Sequence, residues 1–576
     1  MFILKTLVFI IFILLYPCLF VSLQPMKYLL TVIMAFVGTV VYAQLRIDNR
    51  PVMYDSESNI MLVTIPQEDF GSSKRYKIEL EEGWSKLKIN GSTVGDSYYF
   101  NSITGGKKYS MTIKNKDQFV VTSSITFTFL PILQLTGDFG YDYQEGTVSL
   151  YTPDGEIKEA LTGKLKWRGG TTNTDDKHKR NYKIKFDEDV QLFGLRKDNN
   201  WILDAGQADL FRVRNRIATE LWNDMATKPY YADKEPEALS GVRGQMVELF
   251  LNKEYRGIYC LTEAMDRKQM KLKKVDKNTG EIKGCLYKSE GYGASLMSKY
   301  PDTYNNNSET WDTFEIKYPE LDDTQNGETD WSTLWNAINF VATSSDNDFK
   351  EHIAEYFDIP VIIDYYIFIN VLNAFDNVGK NMFWAVYDKT KDKKLTPGVW
   401  DLDATVGQKW VSDHLKGTYG AYSPDYDMSA HTNLTRRLAE LDVDGFNDKV
   451  VKRYHELRQN ILSTDNLIAR YTQYFDRIYL SGAAAREENK WSEDTDIKEE
   501  ELNFEQEIYY ISYWLARHLV YLDQTRFLLK ENETITGIKH QQNMQQEKTI
   551  YNLQGQKIKT PRKGIFIMDG KKMIFK

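Results

Sequence analysis

The sequence predicts an α+β protein with three folded parts: an N-terminal antiparallel β domain, a mixed core and a small C-terminal β segment. Residues 44–130 alternate apolar and polar side chains, with frequent Gly, Ser and Asn between the runs, as antiparallel strands and their turns do. From residue 131 to residue 530, strand patterns are mixed with long helical ones. At 576 residues the chain is long enough for two or more domains.

Residues 1–43 form an apolar leader ahead of these parts. The first 22 residues are apolar enough to span a membrane, and a second unit beginning at Met26 has a short basic start, an apolar run and a small-residue end at Ala43. We expect translation to start at Met26 and cleavage to follow Ala43, which predicts a secreted, periplasmic or cell-surface protein. The alternative is an N-terminal anchor, which implies membrane association through the leader.

Composition narrows the classes of partner and of bound metal. The net charge of −8 disfavours a nucleic-acid partner, and the basic run at residues 177–180 is either a phosphate contact or a solvated turn. Apart from Cys18 in the leader, the cysteines are Cys260 and Cys285, and neither has a partner at the spacing of a zinc site. In an oxidising compartment they are able to form one disulfide, but two buried free thiols are the favoured alternative.

The N-terminal part, residues 44–130, contains period-two runs such as "IMLVTIP", "RYKIEL" and "YSMTIKN". These runs predict a β-sandwich-like domain, because one face of each strand is apolar and the other polar. Nothing in this part indicates catalysis, so we expect it to be a spacer or a binding module.

The core, residues 131–530, begins with strands and ends with helices. The segments "GKLKWRGG" and "NYKIKFDED" predict two strands around a loop rich in Gly and Thr, and "FRVRNRIATELWNDMA" predicts an amphipathic helix. A β-hairpin is predicted with its turn at Asn252–Lys253. Residues 300–332 are polar and predict a long loop or an insertion. Residues 332–375 predict an apolar helical segment, followed by a hairpin that ends at "VWDLD", and residues 431–530 predict long helices.

A carboxylate and an amide stand where the apolar helical segment ends. Asp376 precedes Asn381 by five positions, the spacing of Asp and Asn in the protein-kinase motif H-R-D-x-x-x-x-N. Phosphoryl transfer needs a base at the acceptor hydroxyl, oxygen ligands for Mg²⁺ and a cation at the phosphates. The following hairpin returns to Asp401, where kinases have a metal-binding Asp, and Asp403 would face the same side of an extended strand. Each of these residues taken alone is equally a polar group at a loop or strand end.

Six separated segments carry a resemblance to a known family. They are "KWRGG…KRNYKIKF", "NNWILDAG…FRVRNRIATELW", "VELFLNKEYRGIYCLTEAMD", "GCLYKSEG", "NAFDNVGKN" and "VWDLDATVG". In this order, between about Gly146 and Leu529, they resemble the CotH-type kinases, a family of atypical protein kinases named for a spore-coat protein. The resemblance implies a remote, rearranged protein-kinase fold that binds ATP with Mg²⁺ or Mn²⁺ and phosphorylates protein hydroxyls.

The resemblance also implies a role for each residue that matches the family's motifs. The nucleotide-gripping lysine is Lys288, the catalytic Asp is Asp376 and the metal-binding Asp is Asp401. Asn381 matches the Asn that follows the catalytic Asp, and we expect it to be a metal ligand, with Asp403 as a second candidate.

Three further residues are candidates for the nucleotide site. We expect Glu263 to pair with Lys288, as the helix Glu of protein kinases pairs with its Lys. Arg168 and Lys183 are phosphate or structural contacts. The chain has no G-x-G-x-x-G loop, and "RGGTTNT" at residues 168–174 is the best substitute because Gly and Thr backbone amides can hold phosphates.

The C-terminal part, residues 531–576, has short strand patterns broken by Gly and Pro. It resembles the C-terminal β segment of secreted proteins of the Bacteroidetes type, some of which serve as sorting signals. A plain β appendage is the alternative.

Together these observations predict an ATP- and divalent-metal-dependent protein Ser/Thr kinase of atypical fold, secreted or exposed at the cell surface. Its partners would be a nucleotide and a protein that carries the acceptor hydroxyl. A non-catalytic surface protein on the same fold, a pseudokinase, is the main alternative, because fold alone does not determine function. A carbohydrate-active enzyme using Asp401 and Asp403 is disfavoured, since two residues on one strand are poorly placed to flank a sugar.

Overall fold

The computed structural model describes most of the chain. It describes residues 45–80, 84–115, 120–170, 172–174, 177–408, 432–492, 494, 502–528 and four strands between residues 550 and 575. The predicted leader, with Cys18 and the predicted start at Met26, therefore lies outside the described residues. Within the described ranges, no helix is both long enough and apolar enough to cross a membrane.

The N-terminal domain consists of two sheets packed face to face. Its strands are β1 (Arg46–Ile47), β2 (Arg50–Pro51), β3 (Met53–Asp55), β4 (Ile60–Thr64), β5 (Tyr76–Glu79), β6 (Trp84–Ile89), β7 (Ser92–Gly95), β8 (Ser97–Phe100), β9 (Tyr109–Asn115) and β10 (Val120–Thr128). The sheet orders are β2-β1-β5-β8 and β3-β4-β10-β9-β6-β7. Ile78 and Phe100 of the first sheet share a core with Met111 and Phe127 of the second. The predicted antiparallel arrangement holds except for β4 and β10, which pair parallel.

A closed seven-stranded barrel follows. Its strands are β11 (Ile132–Thr136), β12 (Gln144–Tyr151), β13 (Ile157–Arg168), β14 (Asn181–Val190), β15 (Asp198–Asp204), β16 (Gly244–Leu251) and β17 (Glu254–Glu263). The order around the barrel is β11-β12-β13-β14-β15-β17-β16, and the parallel pairing of β11 with β16 closes it. The predicted hairpin turn at Asn252–Lys253 is confirmed, and both residues have the positive φ that a tight hairpin turn requires.

A second, five-stranded sheet carries most of the candidate residues. Its strands are β18 (Cys285–Ser289), β19 (Thr310–Trp311), β20 (Phe314–Tyr318), β21 (Met382–Val386) and β22 (Thr396–Val399), in the order β19-β20-β18-β21-β22. The hairpin expected before "VWDLD" is β21–β22. The prediction of one long loop over residues 300–332 is wrong, because β19 and β20 lie within it and Phe314 and Ile316 are buried.

Nine α-helices complete the described core. They are α1 (Arg214–Met225), α2 (Ser332–Thr343), α3 (Asp346–Tyr356), α4 (Ile359–Leu372), α5 (Asn433–Glu440), α6 (Phe446–Arg458), α7 (Thr464–Leu480), α8 (Ala483–Trp491) and α9 (Phe504–Tyr521). Helix α4 is buried on every side from Val361 onward, so it is the central helix of the largest core. Trp222 of α1 packs edge-on against Tyr365 and Phe368 of α4. Helix α4 therefore has a firmly packed position from which it leads into Asp376.

Buried ion pairs join the barrel region to the last helices. Arg214 contacts Asp209, with 2.7 Å between nitrogen and oxygen, and also pairs with Glu507 of α9. Glu487 of α8 accepts hydrogen bonds from Arg212 and from the Ile258 backbone, each at 2.7 Å. Removing one partner of such a pair would leave a buried charge without compensation, so these contacts fix α8 and α9 against the barrel.

Cys260 and Cys285 are both buried free thiols, as the favoured alternative predicted. Cys260 lies on β17 of the barrel and Cys285 on β18 of the five-stranded sheet. The N-terminal domain contacts the barrel through Asp55, whose carboxylate accepts a hydrogen bond of 3.2 Å from the Tyr255 backbone.

The C-terminal part contains a four-stranded antiparallel sheet. Its strands are β23 (Ile550–Asn552), β24 (Lys557–Ile558), β25 (Gly564–Met568) and β26 (Lys571–Phe575), in the order β24-β23-β25-β26. The expected β segment is therefore present, while its role as a sorting signal remains a prediction.

Candidate active site

The outer face of the barrel forms one wall of a cleft. Tyr182 and Ile184 fill the barrel interior, so Lys183 between them points outward. Lys166 of β13 lies opposite Lys183 in the β13–β14 pairing, and Arg168 is two residues farther along on the same face. Burial and the nearby Lys317 ammonium lower the pKa of Lys183. The two predicted basic residues, Arg168 and Lys183, therefore share one wall.

The five-stranded sheet forms the facing wall and presents Lys288. This lysine is on β18, the central strand, with Glu315 opposite it on β20. Its ammonium lies 2.6 Å from a carboxylate oxygen of Glu290. Partial burial raises the pKa of Glu290, but the Lys288 charge outweighs that effect and the net pKa is below the usual value.

The expected pairing of Lys288 with Glu263 is not formed. Glu263 is fully buried at the end of β17, where its carboxylate accepts from the Arg243 guanidinium at 2.6 Å and from the Arg196 backbone at 2.9 Å. Glu290 takes its place because it follows Lys288 by two residues and so projects from the same side of the strand. Glu263 therefore has a structural role. The sequence feature that indicates the partner of Lys288 is Glu290, the acidic residue nearest to it along the chain.

Asp376 lies in a short 3₁₀ turn directly after α4. Asn373, the residue that caps the C-terminus of the helix, has a left-handed backbone, and the turn spans Phe375–Asn377. One oxygen of Asp376 accepts from the Asn381 side-chain amide at 2.8 Å. The Lys380 ammonium donates to both oxygens, at 3.0 and 2.9 Å. The five-residue spacing therefore closes a hydrogen-bonded loop, and Lys380 is a site residue that the sequence reasoning missed.

Hydrogen bonds tie this loop to both neighbouring segments. The Asn377 side-chain amide donates to the carbonyl of Asn381 at 3.1 Å and to that of Trp400 at 2.7 Å. The Asn381 backbone N–H donates to the backbone carbonyl of Ser289, the residue after Lys288, at 3.0 Å. Asp376, Lys288 and the residue before Asp401 are consequently held in one rigid unit.

Asp401 occupies the point where the two walls meet. Its backbone is left-handed, with φ of 56°. The residue is exposed to solvent, although other charged side chains lie around its carboxylate. Desolvation and the Asp204 carboxylate raise the pKa of Asp401, while the charges of Arg168 and Lys288 oppose this rise. The Asp376 carboxylate raises it further. The charges of the predicted residues Asp376, Lys288 and Arg168 therefore all act on Asp401.

Asp204 is a second site residue that the sequence reasoning missed. It ends β15, and its carboxylate accepts from the Asn215 side chain at 2.7 Å. The Asn215 side-chain amide oxygen in turn accepts from the Leu402 backbone N–H at 3.1 Å, beside Asp401. Asp204, Asn215 and Asp401 line a cavity of about 40 Å³ together with Arg168. The signal was present in "NNWILDAG", where Asp204 is the acidic residue at the strand end.

Asp403 does not share an extended strand with Asp401. Strand β22 ends at Val399, so the expectation that the two side chains face the same side of one strand is wrong. The two carboxylates are nevertheless close. Desolvation, followed by the charges of Asp401 and Asp204, raises the pKa of Asp403 well above its ordinary value.

The oxygen donors at this site suit a magnesium ion that is shared with phosphates. Among the described residues no group of three or more His, Cys, Asp or Glu side chains is arranged to hold a metal by itself. Mg²⁺ is usually bound by one or two carboxylates and completes its shell with phosphate oxygens and water. Asp401 and Asp403 supply carboxylates, and Asn381 retains its amide oxygen because its nitrogen is bonded to Asp376. This donor set fits the group that the sequence predicted.

A larger cavity, of about 870 Å³, lies beside the outer end of the cleft. Lys317 and Glu320 line it on one side, and Arg267 and Lys268 on the other. Asp376, Asp401 and Lys288 are absent from its lining. Although this cavity is the larger one, the charged groups that suit phosphoryl transfer do not line it. We therefore assign the candidate active site to the cleft that contains those groups.

Comparison with known proteins decides the family. The family model described as CotH kinase protein matches residues 165–522, more than half of the chain. The chain belongs to the CotH kinase family. No curated protein matches the chain significantly.

The CotH match covers the parts that build the cleft. It extends from the end of β13 to the end of α9 and includes Arg168, Lys288, Asp376 and Asp401. Strands β11 and β12 lie before it although they belong to the same closed barrel. The resemblance expected from the sequence is thereby confirmed.

Proposed function

We propose that this CotH protein is an ATP- and divalent-metal-dependent protein kinase that phosphorylates Ser or Thr hydroxyls outside the cytoplasm. The observation that carries the proposal is the hydrogen-bonded loop around Asp376, which is bonded to Ser289 beside Lys288 and to Trp400 beside Asp401. Asp401 and Arg168 line the same cavity. A base, an oxygen ligand for metal and two cations are the groups that phosphoryl transfer needs.

Asp376 is suited to orient the acceptor hydroxyl and to accept its proton. Its side chain is held by Asn381 and Lys380, so little reorganisation is needed when a substrate arrives. Only 7% of Asp376 is exposed, which restricts access to a hydroxyl presented from one direction. Proton transfer to a positioned carboxylate is general base catalysis.

Lys288, Arg168 and Lys380 are suited to stabilise the charge on the transferred phosphoryl group. Lys288 and Arg168 approach Asp401 from opposite walls, and Lys380 contacts Asp376 directly. Fixed cations in a site partly screened from water stabilise developing negative charge more strongly than the same charges would in water.

Asp401 would hold the divalent cation, with Asn381 and Asp403 as further oxygen donors. When bound, the cation supplies neutralisation of the nucleotide phosphates. The carboxylates around Asp401 and Asp403 favour this assignment, because the charge of Asp204 raises the pKa of both and a bound cation would compensate it.

A non-catalytic binding protein on the same fold is the second candidate. The ion pair between Lys380 and both oxygens of Asp376 favours it, since a neutralised carboxylate is a weaker base. The scarcity of ATP outside cells would also suit a protein that binds and does not transfer.

Nucleotide-dependent thermal unfolding tests the proposal. We expect ATP with Mg²⁺ or Mn²⁺ to raise the unfolding temperature of the wild type and to leave that of Asp401→Ala unchanged. Asp302→Ala, in an exposed loop, is the matched control and should respond like the wild type. A wild type that responds to no nucleotide–metal pair would remove the kinase proposal. Phosphate transfer that disappears in Asp376→Asn would remove the non-catalytic candidate.

A further inference from the structure

Tyr292 lies directly over Asp376. Its hydroxyl oxygen is 3.1 Å from one carboxylate oxygen of Asp376 and 3.4 Å from the Phe375 carbonyl oxygen. The carboxylate is the nearer acceptor and carries the charge, so the Tyr292 hydroxyl donates to it. A general base must lie within about 2.6–3.2 Å of the oxygen whose proton it accepts. Tyr292 therefore presents its hydroxyl to Asp376 as an acceptor substrate would.

The other hydrogen bonds of Asp376 leave the place of the Tyr292 hydroxyl as the position from which an acceptor hydroxyl can contact the carboxylate. One carboxylate oxygen accepts from Asn381 and Lys380. The other accepts from Lys380 and from Tyr292. Asp376 itself is almost fully buried, whereas Tyr292 is 50% exposed. An external hydroxyl would have to displace the Tyr292 side chain to reach the same oxygen.

The loop that carries Tyr292 is anchored on both sides of the tyrosine. The Ser295 hydroxyl donates to the Gly291 carbonyl at 2.6 Å, and the Ala294 backbone donates to the Asp312 carboxylate at 2.6 Å. A Cβ atom on Gly293 would lie 2.4 Å from an oxygen of Asp312, so a larger residue here would displace the Asp312 carboxylate that holds the Ala294 backbone. The loop is thus shaped to hold the tyrosine at the site.

One cation, Lys380, lies near the Tyr292 side chain. The Lys380 ammonium lies 5.8 Å from the centre of the Tyr292 ring and binds the same carboxylate as the hydroxyl. Tyr292 also follows Lys288 by only four residues, in the loop that leaves β18. The strand that presents Lys288 therefore leads directly into the loop that presents Tyr292.

We propose that Tyr292 is a phosphorylation site of this chain, modified within the same molecule by its own active site, which would then accept this tethered tyrosine hydroxyl in addition to the Ser or Thr hydroxyls of other proteins. The proposal rests on the proposed kinase function. In the step, the phenolic oxygen of Tyr292 bonds to the γ-phosphorus of ATP as the bond from that phosphorus to the β–γ bridging oxygen breaks. ADP leaves with the electron pair, and the phenolic proton passes to Asp376 and then to water.

Phosphopeptide mapping of the full chain after incubation with ATP and Mg²⁺ tests this proposal. We expect phosphate on Tyr292 in the wild type and in the control Tyr304→Phe, which removes another exposed tyrosine hydroxyl. Tyr292→Phe and Asp376→Asn should lose that phosphopeptide completely. Tyr292→Phe should unfold at the wild-type temperature, because the removed hydroxyl belongs to a half-exposed side chain.

Two measurements separate modification in the same molecule from modification between molecules. The initial rate per molecule should stay constant across a series of protein concentrations. A tagged Asp376→Asn chain mixed with wild type should remain without phosphate on Tyr292, and phosphate on the tagged chain would overturn the proposal.

The remaining outcomes distinguish this proposal from the one on which it rests. An ATP-dependent rise in unfolding temperature with phosphate on other residues but none on Tyr292 would overturn the assignment of Tyr292 and leave the kinase function standing. Absence of both nucleotide binding and phosphate would overturn the kinase function and, with it, the assignment of Tyr292.

Discussion

The two acidic parts of the site differ in how their charges are compensated. Asp376 is held by Asn381 and is paired with the Lys380 ammonium at both oxygens. Asp401 and Asp403 lie close to each other and to Asp204, and the Asp204 charge adds to desolvation in raising the pKa of both Asp401 and Asp403. The first part is organised before any ligand binds. The second part has crowded carboxylates that a bound cation would stabilise. The first part therefore suits positioning of a substrate, and the second suits binding of a metal.

The largest effect should come from removing the organised carboxylate. Asp376→Asn keeps the shape of the side chain but removes the base, and we expect phosphate transfer to fall about a thousandfold. The nucleotide-dependent rise in unfolding temperature should persist, because Asp401, the proposed ligand of the cation, is unchanged. Equal loss of transfer and of nucleotide binding would contradict the division of the site into two parts. Steady-state kinetics and thermal unfolding, measured on one preparation, check both.

A smaller effect is expected when the compensating charge is removed. Lys380→Met leaves Asp376 without its cation and removes a donor near the transferred phosphoryl group. We expect transfer to fall about a hundredfold, the usual loss for one donor that stabilises developing charge. An increase in transfer would show that Lys380 restrains the base, in favour of the non-catalytic candidate. Lys391→Met, on an exposed turn, is the matched control.

The crowded part should respond to pH in the absence of divalent cation. Since the folded-state pKa of Asp403 lies above that of the unfolded chain, the carboxyl group costs no stability below the ordinary value of 3.8. The cost appears as pH rises from there through the raised folded-state pKa, at about 1.4 kcal/mol for each unit of difference. Asp403→Asn should therefore gain stability over wild type as pH rises, by chemical denaturation.

Added Mg²⁺ provides the control for the pH comparison. A bound cation compensates the carboxylates, so we expect the advantage of Asp403→Asn to shrink or reverse when Mg²⁺ and nucleotide are present. A difference in unfolding free energy between Asp403→Asn and wild type that does not change with pH would contradict the crowding of Asp403 with Asp401 and Asp204.

The smallest effect on activity is expected at Glu263. Glu263→Gln weakens the pair between the buried Glu263 carboxylate and the half-exposed Arg243 guanidinium, and should cost about 1–3 kcal/mol in the free energy of unfolding. Nucleotide binding and transfer should stay at the wild-type level when measured below the unfolding transition. A selective loss of nucleotide binding would mean that Glu263 acts on Lys288 after all.

Sequence reasoning reached the site residues more readily than their contacts. The motif order predicted that Asp376, Asn381, Asp401 and Lys288 belong together, and the cleft brings them together. It did not identify Glu290 as the partner of Lys288, because side-chain pairing depends on which face of a strand each residue occupies. It also missed Asp204, which is distant in the chain and reaches Asp401 through the pairing of β15 within the barrel.

The sequence by itself determined the α+β class, the order of its parts, the hairpin turn at Asn252–Lys253 and the family. These depend on local periodicity, turn chemistry and motif order, all of which are visible along the chain. Only the tertiary structure decided that β11 and β16 close a barrel and that β20 crosses the predicted loop. It also placed Tyr292 over Asp376. Such contacts join residues far apart in the chain, and periodicity shows that a strand is buried without showing which strand it meets.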